Sequence, residues 1–283
     1  MDRTILLRSG SFQATQRSSR GSIHYREEGE GFPVLLLHGL AEDNSIWDLQ
    51  TDHLKRYYRM IVPDLPGSGR SSLLPGEPSV DAMADALLEL CDHAGIGQCI
   101  MIGHSMGGYT ALAFAEKYPG RLKAFSLFHS TTYADSEERV TVRKKMIEFI
   151  EKNGSPAYIR QSIPNLLAES TRKDRPGILD GLIARYSDFK PESLIYYQEA
   201  MIRRPDRTTV LRQFAGPVHF VIGSQDITVP PEHSLQQCHI PALSQVDIIE
   251  GSAHMAMLED SDRTNKALTS FVTFTLQTWT RSS

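Results

Sequence analysis

Short apolar runs rich in β-branched and aromatic residues alternate along the chain with longer segments whose apolar positions recur at the helical period. Strands are predicted at Ser22–Gly29, Pro33–Gly39, Tyr58–Asp64, Gln98–Gly103, Leu122–Ser130, Val218–Asp226 and Gln245–Gly251. Helices are predicted at Val80–His93, Met106–Lys117 and Asp262–Trp279. Strands alternating with amphipathic helices describe an α/β fold, a mostly parallel central sheet flanked by helices.

The alternation stops between Thr131 and Phe214, where helical segments such as "SEERVTVRKKMIEFIEKNG" and "PESLIYYQEAMIRR" follow one another without a convincing strand. That is too much helix for one crossover, and both ends join consecutive strands. The expected organisation is a core made of residues 1–130 and 215–283, with an all-helical cap, residues 131–214, inserted between core strands.

Composition narrows the partners. At 283 residues, 40% apolar and 23% charged, the chain is that of a globular protein able to bury a substantial core. A net charge of −4 offers no positive field for phosphate backbones, so nucleic acid is not expected as a partner. The apolar stretch Ile5–Leu7 is too short for a leader, and no segment has the unbroken apolar length of a membrane span, which together suggest a cytoplasmic location. Cys91, Cys99 and Cys238 lack CxxC spacing or a complementary histidine, so they read as thiols and no metal is expected.

Chemistry enters at "GHSMGG", Gly103–Gly108, which lies between a predicted strand and a predicted helix. In Gly103-x-Ser105-x-Gly107 a tight strand-to-helix elbow would strain the serine backbone and crowd the positions two before and two after it, where glycine fits. The helix then directs its free N–H groups toward an anion formed at the serine. The plainer alternative is an ordinary glycine-rich connection in which Ser105 only caps the helix.

A nucleophilic serine needs a base, and the base needs an acid to hold its tautomer. Asp226 closes "VHFVIGSQD", and His254 follows "VDIIEG" in the loop "SAHMAM", giving the chain order serine, acid, histidine. Asp64 in "DLPGSGRS" is the rival acid, but it precedes the nucleophile and is better placed to tie down the glycine-rich loop behind it. His38 and His104 are expected to support backbone around the oxyanion, and His129 to line the pocket without an acid partner. The oxyanion donors are expected to be the N–H of Met106 and, across the turn allowed by Gly39, the N–H of Leu40, whose side chain also walls the acyl site. Met255 and Met257 after His254 add apolar surface for an acyl or aromatic substrate of modest size.

In this order, "LLLHGL", "VPDLPGSGRS", "GHSMGG", "GSQDITVP" and "GSAHMAMLED" resemble the α/β-hydrolase fold family, and the resemblance runs from about Ser22 to Trp279. It implies an eight-stranded, mostly parallel sheet with a helical cap between the sixth and seventh strands. It also implies a triad of Ser105, Asp226 and His254 working without a cofactor. Family members that cleave epoxides or haloalkanes carry aspartate at the nucleophile position, where this chain has serine. The expected activity is hydrolysis of a small to medium carboxylic ester through an acyl-enzyme. Carbon–carbon bond hydrolysis, lactone opening and perhydrolysis use the same triad, and a ligand sensor on the same scaffold is the non-enzymatic alternative. Oligomeric state and subfamily are not legible.

Overall fold

In the computed structural model, which describes residues 1–7 and 21–279, eight strands form one sheet in the order β1-β2-β4-β3-β5-β6-β7-β8. They are β1 (Asp2–Leu6), β2 (Ser22–Glu28), β3 (Pro33–Leu37), β4 (Arg59–Pro63), β5 (Cys99–His104), β6 (Leu122–Phe128), β7 (Val218–Gly223) and β8 (Ser244–Ile249). β1 and β2 pair antiparallel, β2 joins β4 antiparallel, and every pairing from β4 through β8 is parallel. The central strands are buried along their whole length, which is why they read as unbroken apolar runs and not as alternating ones.

The helices are α1 (Asp48–Leu54), α2 (Val80–His93), α3 (Met106–Lys117), α4 (Glu137–Ser162), α5 (Glu169–Asp174), α6 (Pro176–Tyr186), α7 (Pro191–Arg203), α8 (Thr208–Gln213), α9 (Pro231–Leu235), α10 (Ala256–Glu259) and α11 (Ser261–Trp279). Capping explains several boundaries. Ser79 accepts the Asp81 N–H at the start of α2, and Ser136 accepts the Arg139 N–H at the start of α4, with Glu137 and Glu138 beside the positive end. α4 breaks at Gly154, whose φ of 74° no helix contains, and Pro156 restarts it.

Helices α4–α8 lie between β6 and β7, and no strand occurs there among the described residues. Ile150, Tyr158, Ile159, Leu182 and Leu194 from this insertion share one apolar cluster with Val34, Leu36, Phe128 and Val221 of the sheet. The insertion therefore shares an apolar cluster with the sheet, and its residues close over Ser105 and His254 at the carboxyl edge.

Two features differ from the expectation. β1 was not anticipated, because only Ile5 of its residues is buried and the run carries no alternating signal. The strands also end early: β7 stops at Gly223 and β6 at Phe128, leaving Asp226 and His129 in loops beyond the sheet. Residues 8–20 and 280–283 of the expected core lie outside the described residues. Among the described residues no helix is long and apolar enough to cross a membrane.

Candidate active site

The chain leaves β3 between β4 on one side and β5 on the other, so a crevice opens at the carboxyl ends of the central strands. At this edge Ser105 joins β5 to α3 with φ 50° and ψ −112°, a left-handed conformation costly for a side chain. Its N–H donates to Phe128 O at 2.9 Å, and Ser130 Oγ donates to its carbonyl at 2.8 Å, which hold the strained turn from β6. A side chain at Gly103 would enter the Gly107 carbonyl, and one at Gly107 would meet Leu37 O at 2.5 Å. Both glycines are required by close backbone approach, as the elbow pattern predicts.

Asp226 sits in the loop after β7, 2% exposed. Its Oδ1 accepts the N–H groups of Thr228 (2.8 Å) and Val229 (3.0 Å), and its Oδ2 accepts from His254 Nδ1 at 2.7 Å. Burial by itself would raise this carboxyl, but the imidazoles of His254 and His129 outweigh burial and hold it far below the ordinary carboxylate range. His254 follows β8; its N–H donates to Leu166 O of the insertion at 3.0 Å, and its carbonyl accepts from His104 Nε2 at 3.0 Å. Ser105 and His254 wall the same cavity of about 90 Å³, without a hydrogen bond joining hydroxyl to imidazole. Such pairs commonly tighten only when substrate is bound. A larger cleft, about 590 Å³, lies on the other side of Asp226 and does not reach Ser105, so the chemistry belongs to the smaller one.

Asp64 does what its position suggested: Oδ1 accepts Asn44 N–H and Oδ2 accepts Arg70 N–H, both at 2.9 Å, pinning two loops. His38 Nε2 accepts Leu65 N–H at 2.9 Å and Nδ1 donates to Gly39 O at 2.8 Å. Glu42, which the sequence did not single out, is the buried partner of this region. Its Oε2 accepts Gly39 N–H at 2.6 Å and His104 Nδ1 at 3.0 Å, and His104, not burial, decides that the carboxyl is lowered. An acid five residues past β3, in "HGLAED", was the available signal.

Of the expected pocket residues, Leu40 lines the cavity. Gly39 does not, and its N–H is taken by Glu42. The Met106 side chain is fully buried, but its N–H opens α3 and has no intrahelical acceptor. Met255 is fully buried in the apolar cluster beneath the insertion and does not face the cavity. His129 corrects the expectation twice. It is 1% exposed and away from the cavity, and it does have an acid partner, with Nδ1 3.1 Å from Asp226 Oδ2. The loop geometry after β6, with φ 48° at His129, swings the ring behind the acid in a way that sequence order does not disclose.

The nitrogen and oxygen atoms of His129, Asp226 and His254 lie within 4.8 Å of one another, with both Nδ1 atoms set against Asp226 Oδ2.

Burial lowers His129 from 6.5 to about 4. Between those values the unfolded chain binds more protons than the folded one, so stability is fully present above about pH 6.5 and declines as pH falls to about 4, by up to about 3 kcal/mol. Thermal unfolding at about pH 7.5 and about pH 4.5 should show a smaller acid loss in His129→Gln than in the parent. Equal losses in both proteins would contradict the assignment of this slope to His129.

A sheet of this order, with a strained serine at the switch point and a buried acid–imidazole pair behind it, defines a hydrolase. The family model described as alpha/beta hydrolase fold matches residues 33–154. A thermophilic esterase from Thermogutta terrifontis superposes with a TM-score of 0.89 at 31% identity, covering 96% of this chain and 99% of its own. The 2-hydroxy-6-oxo-6-phenylhexa-2,4-dienoate hydrolase of Comamonas testosteroni is 26% identical over 260 residues, 88% of this chain and 91% of that protein. The enol-lactonase from Burkholderia xenovorans LB400 shares the fold at a TM-score of 0.83 and 22% identity. The chain belongs to the α/β-hydrolase fold family.

Proposed function

We propose that the protein cleaves small to medium carboxylic esters through an acyl-enzyme on Ser105. The observation that carries this reading is the buried Asp226–His254 pair at 2.7 Å, whose imidazole shares a cavity with the strained Ser105. With Nδ1–H committed to Asp226, His254 presents a bare Nε2 that can take the Ser105 proton as Oγ attacks the ester carbonyl. The tetrahedral oxyanion accepts from the N–H groups of Leu40 and Met106, each worth about 3 to 4 kcal/mol in comparable sites. Its collapse breaks the carbon–oxygen bond, and His254 returns the proton to the leaving alkoxide. Water, deprotonated by the same imidazole, then attacks the acyl carbon and releases the acid and the free Ser105.

The helical insertion acts as the cap. Tyr158, Ile163 and Leu166 close the cavity over Ser105, and the volume of about 90 Å³ favours a short acyl group. The relative from Thermogutta terrifontis, a thermophilic esterase, supports the same reading. Three free cysteines suit a cytoplasmic enzyme.

A fluorophosphonate probe should label Ser105, located by mass spectrometry of the digested protein, and p-nitrophenyl esters should be hydrolysed fastest at short acyl length. No labelling at Ser105 would remove the proposed nucleophile, and turnover of a vinylogous diketone with negligible ester hydrolysis would replace this reading with carbon–carbon bond hydrolysis on the same triad.

A further inference from the structure

The cap end of the cavity is built differently from the end that holds Ser105. Two successive turns of α4 place Arg139 and Arg143 in its wall, facing Ser105 and His254 from above. Arg139 Nη2 donates to Thr228 O at 2.6 Å, and its side chain remains 39% exposed. Arg143 Nη1 donates to Gln198 Oε1 at 2.9 Å and its Nε donates to Asp135. Arg204 joins from beneath, stacked 3.9 Å over the Tyr109 ring, with Nη2 donating to Asp135 Oδ1 at 2.8 Å.

Three guanidinium groups thus surround one buried carboxylate, Asp135, whose ionised form they maintain against burial. One carboxylate leaves two positive charges uncompensated within the cluster. Among the described residues neither Arg139 Nη1 nor Arg143 Nη2 has a protein acceptor, and both arginines border the cavity. The opposite wall carries the buried Glu42, whose carboxylate is already engaged by the Gly39 N–H and by His104. The unpaired positive charge of the cavity therefore lies beneath α4.

We infer that the substrate carries a carboxylate held by Arg139 and Arg143, with the scissile ester at Ser105: a monoester of a short dicarboxylic acid, or a chemically equivalent ester acid. A carboxylate in the cavity that both arginines border can accept from the free Nη of each, an interaction that a neutral acyl chain does not make. This inference rests on the ester-hydrolase reading of the site and adds the charge of the substrate to it.

The test compares monomethyl succinate, glutarate and adipate with methyl butyrate, pentanoate and hexanoate, matched in length, with acid release followed by pH-stat. The parent enzyme should prefer one monoester acid over its neutral partner by at least about tenfold in kcat/KM. In Arg143→Met that ratio should collapse toward unity through KM, and Arg143→Lys should recover part of it, because a point charge replaces the planar fork. Arg139→Met, at a partly exposed position, should act in the same direction and guards against a folding defect in the first variant. Binding of glutarate, measured by calorimetry on the parent and on Arg139→Met, provides a readout independent of turnover. Equal or better hydrolysis of the neutral esters by the parent, with no glutarate binding, would overturn the inference and leave the ester-hydrolase reading standing. Glutarate binding lost in Arg139→Met without any ester turnover would sustain the anion subsite and defeat that reading instead.

Discussion

Ser105→Ala is expected to lower kcat on short-chain p-nitrophenyl esters by at least about 10⁴-fold while the protein stays folded. The magnitude follows from what the hydroxyl does. Without Oγ no acyl-enzyme forms, and the remaining groups can assist only direct attack by water. The backbone at 105 keeps its bonds to Phe128 and Ser130, and alanine has the smallest Cβ able to occupy φ 50°, so the elbow survives. KM should change little, because the hydroxyl contributes to the transition state more than to ground-state binding. Steady-state kinetics with a thermal melt as folding control decides the matter, and a loss below about tenfold would remove Ser105 from the chemistry.

Asp226→Asn is expected to cost about 10⁴-fold in kcat with almost no change of shape. Thr228 and Val229 donate their N–H groups to Oδ1, so the asparagine must place its carbonyl oxygen there and its NH₂ where Oδ2 now lies. That amide then points donors at His254 Nδ1 and His129 Nδ1, which lie 2.7 Å and 3.1 Å from the present oxygen. His254 is driven to the tautomer with its proton on Nε2, where it cannot accept from Ser105. The loss of the carboxylate also removes the charge that stabilises the imidazolium. The measurement is kcat on a short-chain ester, accompanied by proton NMR of the imidazole N–H groups. Retention of more than about a tenth of the activity would show that Asp226 does not set the tautomer.

The contrast between these two aspartate-linked histidines illustrates what a linear reading can reach. His254 was legible because the end of β8, the loop after it and the order of serine, acid and base are all written in sequence. His129 was visible as a residue closing an apolar run, yet its ring lies behind Asp226 and out of the cavity. A positive φ in a loop decides that, and histidine is not a residue whose presence announces one. Met255 misled for a related reason. It adjoins His254 in sequence, but the turn before α10 rotates neighbouring side chains apart, sending the imidazole to the cavity and the thioether into the apolar cluster.

Strands β2–β8, helices α2, α3 and α11 and the helical insertion were marked by apolar period, since burial on both faces or on one leaves a repeating chemical trace. β1 left none, being held by backbone pairing to β2 with a single inward side chain. The elbow at Ser105 was equally readable, because close backbone approach excludes any side chain larger than hydrogen at Gly103 and Gly107. What only the folded molecule decides is how α4 lies across the sheet edge. Its rotation about its own axis, set where Ile150 and Tyr158 enter the apolar cluster, brings Arg139 and Arg143 to the cavity that Ser105 borders. Local residue types specify elements and turns through short-range sterics and solvation, whereas the partners of a charge depend on long-range packing that no short stretch of chain contains.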